Sequence, residues 1–136
     1  MSRTPETRTA EWPIPSRDRR VVLARAVSRL FDEWNLPARD RAALLGLSET
    51  NRSTLAGYAQ GRPLAPNRDL LDRAGHLLGI YKNLQILYDR NPEIRRGWMQ
   101  ARNRAFDGHT PVEVVRDKGL LGLTMVRTAL DAMRGR

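Results

Sequence analysis

The sequence predicts an all-α protein, a helical bundle, and three observations support this prediction. Apolar residues recur every three or four positions along most of the chain, which is the period of one helix face. Residues that commonly begin or end helices, such as Asn67, Asn91-Pro92 and Gly61, separate these periodic stretches. No stretch bounded by turns shows the alternation of apolar and polar residues that a half-buried strand requires.

The composition indicates one small domain, or two small domains that share a core. The 136 residues carry a formal charge of +9 and contain no cysteine. This charge favours an acidic partner: nucleic acid, a membrane surface or an acidic protein. Almost all of it comes from arginine, which suits bidentate contacts to phosphate and carboxylate but is also enriched by GC-rich genomes.

The same composition argues against membrane and secreted proteins. No apolar run is long enough to span a bilayer, and no apolar segment follows the first basic residues as in a secretory signal. The lack of cysteine fits a reducing compartment. We therefore expect a cytoplasmic protein with no membrane partner.

The N-terminal residues 1–19 contain several prolines and no period, which predicts a flexible arm. Arg17, Arg19 and the adjacent Arg20 could reach DNA phosphates, although a solvated tail is the simpler interpretation. Trp12 could pack into a groove on this subunit or on a neighbour.

Three longer segments have one continuous apolar face each, and we predict helices over residues 20–34, 67–89 and about 121–133. Gly75 and Gly79, four residues apart on the second of these helices, could mark a close crossing with another helix. The three apolar faces contain Leu23, Val27, Leu30, Phe31 and Trp34; then Leu70, Ala74, Leu77, Leu78, Tyr81, Leu84 and Tyr88; then Leu123, Val126, Leu130 and Met133.

Residues 37–61 carry the pattern of a helix-turn-helix motif, with a turn at Ser48–Asn51 between two short helices. In this motif the N-terminal residues of the second helix enter the major groove of DNA. The turn is about two residues longer than the common form, and the second helix has no charge between Arg52 and Arg62. A helix-turn-helix that serves only as a scaffold or dimer platform therefore remains an alternative.

Four residues of this motif are candidate DNA contacts. Arg52 could bind a guanine with two hydrogen bonds, and Ser53 or Thr54 could meet a phosphate or a thymine methyl. Arg62, just beyond the second helix, would suit a phosphate.

Residues 91–117 predict two helices joined by a tight turn. The first begins at Asn91-Pro92, presents Ile94, Trp98, Ala101 and Ala105 on one face, and ends at Asp107-Gly108. The second begins at Thr110-Pro111, and Glu113 would complete a capping box. From these residues alone, a helical hairpin in a core and a binding surface are both possible.

The sequence contains no motif that indicates catalysis. Phosphate-binding glycine loops, zinc-protease motifs and serine-hydrolase elbows are absent from it. With His76 and His109 as the two histidines and no cysteine, neither a metal site nor a catalytic histidine is supported. We expect no enzymatic activity and no cofactor.

Two motifs carry a resemblance to a known family. The pattern W-x(7)-F-x-G-x-T-P-x-E resembles the signature of the toxin-binding domain in the Xre/MbcA/ParS antitoxin family. The pattern Leu-Gly-Leu-Ser followed by Arg-Ser-Thr-Leu-x-x-Tyr-x-x-Gly resembles the Xre-like helix-turn-helix that precedes this domain. The similarity covers roughly residues 20–136. The first pattern is formed by Trp98, Phe106, Gly108, Thr110, Pro111 and Glu113.

The resemblance implies that the two halves of the chain have different functions. Residues 20–66 would form the DNA-binding and dimerisation region, and residues 67–136 the toxin-binding domain. The partner in this bacterial family is usually a RES-domain toxin that consumes NAD, and the C-terminal region of the antitoxin lies near the entrance of its active site. The residues implied in toxin binding are Trp98 and Phe106, which would shape the unit, and the polar candidates Arg95, Arg102, Arg127, Arg134 and Arg136.

The leading hypothesis is therefore an antitoxin that sterically blocks a RES-type toxin and represses its own operon as a homodimer within a larger complex. The alternative is a helix-turn-helix transcriptional regulator without a toxin partner. A third interpretation is a protein-interaction module whose helix-turn-helix does not bind DNA.

Overall fold

The computed structural model describes residues 13–135, and over that range it contains helices and no strand, which confirms the all-α prediction. Two short 3-10 turns, Trp98–Gln100 and Arg104–Phe106, lie between the fifth and sixth helices. The α-helices are α1 (Arg17–Glu33), α2 (Ala38–Leu45), α3 (Arg52–Ala59), α4 (Arg68–Leu87), α5 (Pro92–Gly97), α6 (Pro111–Lys118) and α7 (Leu120–Arg134).

The first helix begins earlier than predicted. Ser16 caps α1 by accepting a hydrogen bond from the backbone N–H of Arg19 (3.3 Å), so Arg17 and Arg19 belong to the first helical turn and not to an arm. The end of the predicted arm at residue 19 is therefore wrong. Residues 1–12, including Trp12, lie outside the described residues.

A single core joins the two halves of the chain. Phe31 and Trp34 of α1, Leu77 of α4 and Leu130 of α7 belong to one continuous cluster of buried side chains. The long helix α4 packs against α1 and α2 of the N-terminal half and against α7 of the C-terminal half. Because α4 contributes to both halves, neither can be moved without disturbing the same core.

The close helix crossing lies at a different glycine from those predicted. A Cβ atom at Gly75 would meet nothing within 4 Å, and one at Gly79 would meet the guanidinium of Arg127. At Gly122 of α7, a Cβ would lie 2.6 Å from the carbonyl oxygen of Val114 and 2.8 Å from the Cα of Val115. The α6 and α7 backbones therefore approach each other at Gly122. The prediction is wrong for Gly75, and Gly79 makes room for a side chain of α7 rather than for its backbone.

The predicted continuous helix from residue 91 to residue 107 is also wrong. After α5 the chain forms a 3-10 turn, becomes extended at Ala101 and forms a second 3-10 turn. The side chain of Asn103 accepts a hydrogen bond from the N–H of Ala105 (2.9 Å). The backbone carbonyl of Asn103 accepts from the N–H groups of Phe106 and Gly108. This local bonding by an asparagine competes with helix formation.

Candidate DNA-binding and protein-binding surfaces

The solvent face of α3 begins with two of the residues predicted to contact DNA. Arg52 and Ser53 are exposed, and Ala56 and Ala59 continue the same face along the helix. Thr54 is half-buried, so it is less available than its two neighbours. Because alanine side chains are small, the backbone of α3 can come close to whatever surface binds this face.

Two arginines flank the C-terminal end of α3. Arg62 is exposed, and its guanidinium packs over Gly57. A Cβ atom added to Gly57 would lie 3.1 Å from Cζ of Arg62. Arg25 of α1 packs in the same way over Gly61, and its Nη2 would lie 2.7 Å from a Cβ atom added to that glycine. No sequence motif had indicated Arg25. The two glycines therefore make room for a pair of cations at one end of the helix.

The turn between α2 and α3 covers residues 46–51, longer than the three or four residues usual in such motifs. It starts at Gly46, whose φ of +73° is readily adopted only by glycine. The hydroxyl groups of Ser48 and Thr50 are hydrogen-bonded at 2.9 Å, which holds the turn together.

One arginine of the C-terminal half contacts the helix-turn-helix directly. Arg116 of α6 donates one hydrogen bond to Asp40 of α2 and another to Glu49 of the turn, both at 2.8 Å. The two carboxylates raise the pKa of Arg116 above its ordinary value. This ion triad is the direct polar link between the turn before α3 and the predicted toxin-binding domain.

The two aromatic residues of the C-terminal motif are structural. Trp98 and Phe106 are each 7% exposed and pack edge to face, with ring centroids 6.4 Å apart. Edge-to-face packing of buried rings contributes more than their buried area alone. Both rings belong to the core cluster, so they hold the two 3-10 turns against the core.

The capping box at the start of α6 forms as the sequence predicted. The Thr110 hydroxyl accepts from the N–H of Glu113 (3.0 Å), and the Glu113 carboxylate accepts from the N–H of Thr110 (2.8 Å). The bond from the Thr110 backbone is the largest of the effects that hold the pKa of Glu113 below its ordinary value.

The arginines proposed as toxin contacts differ in availability. Arg95 is turned inward: its side chain is 16% exposed, donates to the carbonyl of Tyr88 (3.3 Å) and lies 3.6 Å from Glu33. Its guanidinium therefore joins α5 to the rest of the fold. Arg102, in contrast, is exposed and donates to the carbonyl of Gly108 (3.3 Å).

Arg127 and Arg134 of α7 both contact residues of α4. Arg127 is half-buried, and its guanidinium packs over Gly79. The pKa of His76 is lowered first by the burial of its own ring and second by the positive charge of Arg127. Arg134 donates to Asn83 (3.0 Å), which in turn donates to Asp131 (2.9 Å). Arg136, the last of the predicted contacts, lies outside the described residues.

A groove that no sequence motif had indicated lies between the second 3-10 turn, α6 and α7. Its volume is about 590 Å³, and its apolar lining includes Phe106, Val114 and Met125. Asp107, Glu113 and Asp117 also line it, together with His109 and Lys118. The signal that could have revealed it is the spacing of Leu121 and Met125, exposed apolar residues four apart on α7.

Two features are absent from the described part of the chain. None of the helices in residues 13–135 is both long enough and apolar enough to cross a bilayer. Over the same residues, no group of three or more histidine or acidic side chains is arranged to hold a metal ion.

Comparison with known proteins assigns both halves of the chain. Residues 14–79 match the antitoxin Xre-like helix-turn-helix domain, and residues 83–136 match the antitoxin Xre/MbcA/ParS C-terminal toxin-binding domain. The matches divide within α4, whereas we predicted a boundary after residue 66. Neither family is a family of enzymes.

A curated relative matches about two thirds of the chain. The uncharacterized protein y4oB of Sinorhizobium fredii (strain NBRC 101917 / NGR234) is 33% identical over 89 residues, which are 65% of this chain and 67% of the relative. With an Xre-like helix-turn-helix followed by the C-terminal toxin-binding domain, the chain belongs to the Xre/MbcA/ParS family of antitoxins.

Proposed function

We propose that this antitoxin neutralises a RES-type toxin that degrades NAD, and that it also represses its own operon in the bacterial cytoplasm. The observation that carries the proposal is the presence in one chain of an Xre-like helix-turn-helix and the toxin-binding domain of the same antitoxin family. The identity of the toxin follows from the resemblance of the Trp98 to Glu113 motif to antitoxins whose partners are usually RES proteins.

The proposed inhibition is steric. A protein surface that covers the entrance of the NAD site stops the toxin without any chemistry of its own. A rigid surface favours this mode of inhibition, because ordering a flexible one on binding reduces the affinity. The buried pair Trp98–Phe106 and the capping box of Thr110 give the C-terminal half that rigidity.

Among the arginines, we propose Arg102, Arg127, Arg134 and Arg136 as polar contacts to the toxin. Arg102 and Arg134 are exposed, and each has donor groups beyond the single hydrogen bond described. Arg95 is a positioning residue instead, because its guanidinium is turned toward Glu33.

For DNA, we propose that Arg52 and Ser53 read base edges and that Arg25 and Arg62 contact phosphates at the other end of α3. Thr54, half-buried, would have a smaller role. Two copies of the chain related by a two-fold axis would place two α3 helices on successive half-sites of one operator.

The first experiment is co-expression with the product of the adjacent open reading frame. We expect that product to arrest growth and deplete NAD when it is expressed alone, and to become harmless and co-purify when this chain is present. A neighbour that is harmless, or that does not bind, would contradict the proposal. The transcriptional regulator without a toxin partner would then be the better hypothesis.

A second experiment tests the DNA contacts. Arg52→Ala should weaken binding to the operator by roughly 1–3 kcal/mol if Arg52 binds a base edge with two hydrogen bonds. Arg96→Ala removes an exposed arginine of α5 and is the matched control. If both variants bind as the wild type does, α3 does not read DNA through Arg52.

A further inference from the structure

The groove formed by the second 3-10 turn, α6 and α7 has a chemistry unlike that of the chain as a whole. The protein carries a formal charge of +9, yet Asp107, Glu113 and Asp117 line this groove against one lysine, Lys118. The lysine lies 3.8 Å from its neighbour Asp117. Asp107 has no ion-pair partner among residues 13–135.

The floor of the groove is apolar and continues onto an exposed strip. Phe106 and Val114 are 7% and 8% exposed, and Met125 beside them is 37% exposed. Leu121 precedes Met125 by one helical turn on α7 and is 61% exposed. Leu121 itself lies beyond the residues that line the groove. Exposed apolar side chains beside a polar rim are a feature of protein-binding sites.

We propose that this groove is a docking site for a segment of the cognate toxin that carries an apolar side chain flanked by arginine or lysine. The apolar side chain would lie on Phe106, Val114 and Met125, and the cations would face the carboxylates of Asp107 and Asp117. The inference rests on the proposed function, because it takes the toxin as the partner, and it names the chemistry that the toxin must present.

The position of the groove favours the toxin over other occupants. All residues that line it fall between 105 and 125, within the range 83–136 that matches the toxin-binding domain. DNA is disfavoured here, since its phosphates would face the three carboxylates. The groove thus differs from the arginine contacts proposed above: it binds cations of the toxin, whereas the arginines bind its anions.

The test measures binding of the purified toxin to full-length variants. Leu121→Gln changes the apolar strip at a side chain that is mostly in solvent, so the variant should fold. The double variant Asp107→Asn, Asp117→Asn neutralises the rim, and asparagine tolerates the left-handed backbone of residue 107 (φ +54°). Thermal unfolding of each variant checks that folding is unchanged.

Matched controls make the same changes elsewhere. Val22→Gln alters an exposed apolar residue of α1, which is 66% exposed, and Asp72→Asn with Asp89→Asn removes two exposed carboxylates outside the groove. We expect Leu121→Gln to weaken toxin binding by about tenfold, mainly through faster dissociation. Neutralising the rim should slow association and reduce the salt dependence of binding. The controls should bind within about twofold of the wild type.

Each remaining outcome overturns the inference in a distinguishable way. If the wild type binds toxin and the groove variants bind equally well, the groove is not the docking site and the proposed function still holds. If the groove variants instead change only the self-association of the antitoxin, measured by light scattering without toxin, the occupant is a second copy of the chain. If the wild type does not bind the toxin, the proposed function and the inference fail together.

Discussion

Replacing Gly122 with alanine should destabilise the protein, although alanine is the better helix former. In an open helix interior, glycine to alanine stabilises by roughly 0.5–1 kcal/mol. At Gly122, however, the added methyl would lie 2.6 Å from the Val114 carbonyl oxygen and 2.8 Å from the Val115 Cα. Both are backbone atoms of α6, so no side chain can rotate away to relieve the contact.

The magnitude follows from how far the helices must separate. To reach an ordinary carbon–oxygen distance, α7 would have to move from α6 by close to 1 Å, a gap that forfeits roughly a quarter to a half of the dispersion energy of each contact. Overpacking of this kind costs about 1–3 kcal/mol. After subtracting the gain in helix propensity, we expect Gly122→Ala to lower the free energy of unfolding by about 1–2 kcal/mol.

Gly75→Ala is the matched control, because a Cβ there meets nothing within 4 Å and the residue also lies inside a helix. It should raise the free energy of unfolding by roughly 0.5–1 kcal/mol. Urea unfolding followed by circular dichroism measures both variants. If Gly122→Ala proves as stable as the wild type, the close approach of α6 and α7 is wrong.

Four further predictions concern polar contacts. Thr110→Ala should lower the free energy of unfolding by about 1 kcal/mol through loss of the helix cap, as measured by urea unfolding. The pKa of Glu113 is lowered in the folded state, so its contribution to stability is present above the unfolded pKa and is lost as the pH falls through the lower folded pKa. Stability measured from pH 6 down to about pH 3 should therefore fall less steeply for Glu113→Gln than for the wild type, and equal slopes would contradict this. Removing the Arg116–Asp40 ion pair should cost at most about 1 kcal/mol, and the coupling energy from a double-mutant cycle should decrease in high salt. Asn83→Ala should cost about 1–3 kcal/mol, because Asn83 is 2% exposed and bonded to two charged side chains, and a neutral result in thermal unfolding would refute that role.

The sequence predicted the helices well where their signals are local. Asn67 accepts from the N–H of Leu70 (2.9 Å), and the capping box of Thr110 and Glu113 forms as expected. Both contacts join residues three positions apart, so neither depends on the rest of the fold. The prediction failed for residues 91–107, where the local bonds of Asn103 outweighed an apolar period that suggested one helix.

The candidate surfaces were harder to predict, because they depend on residues far apart in the chain. Arg95 was a reasonable toxin contact by its position, but Glu33, on a different helix, holds it inside. Arg25 lies near the end of α3 because its guanidinium packs beside Gly61, a residue distant from it in sequence. The acidic groove likewise needed α6 and α7 to be brought together at Gly122.

The sequence by itself therefore determined the helical class, the main helix boundaries and the antitoxin family, since periodicity, caps and a motif of fixed spacing are properties of neighbouring residues. The tertiary structure decided which arginines are free to bind a partner, where two helices touch and where the groove lies. Those features arise when side chains that are distant in sequence compete for the same space and the same hydrogen-bond partners. No local pattern records the outcome of that competition.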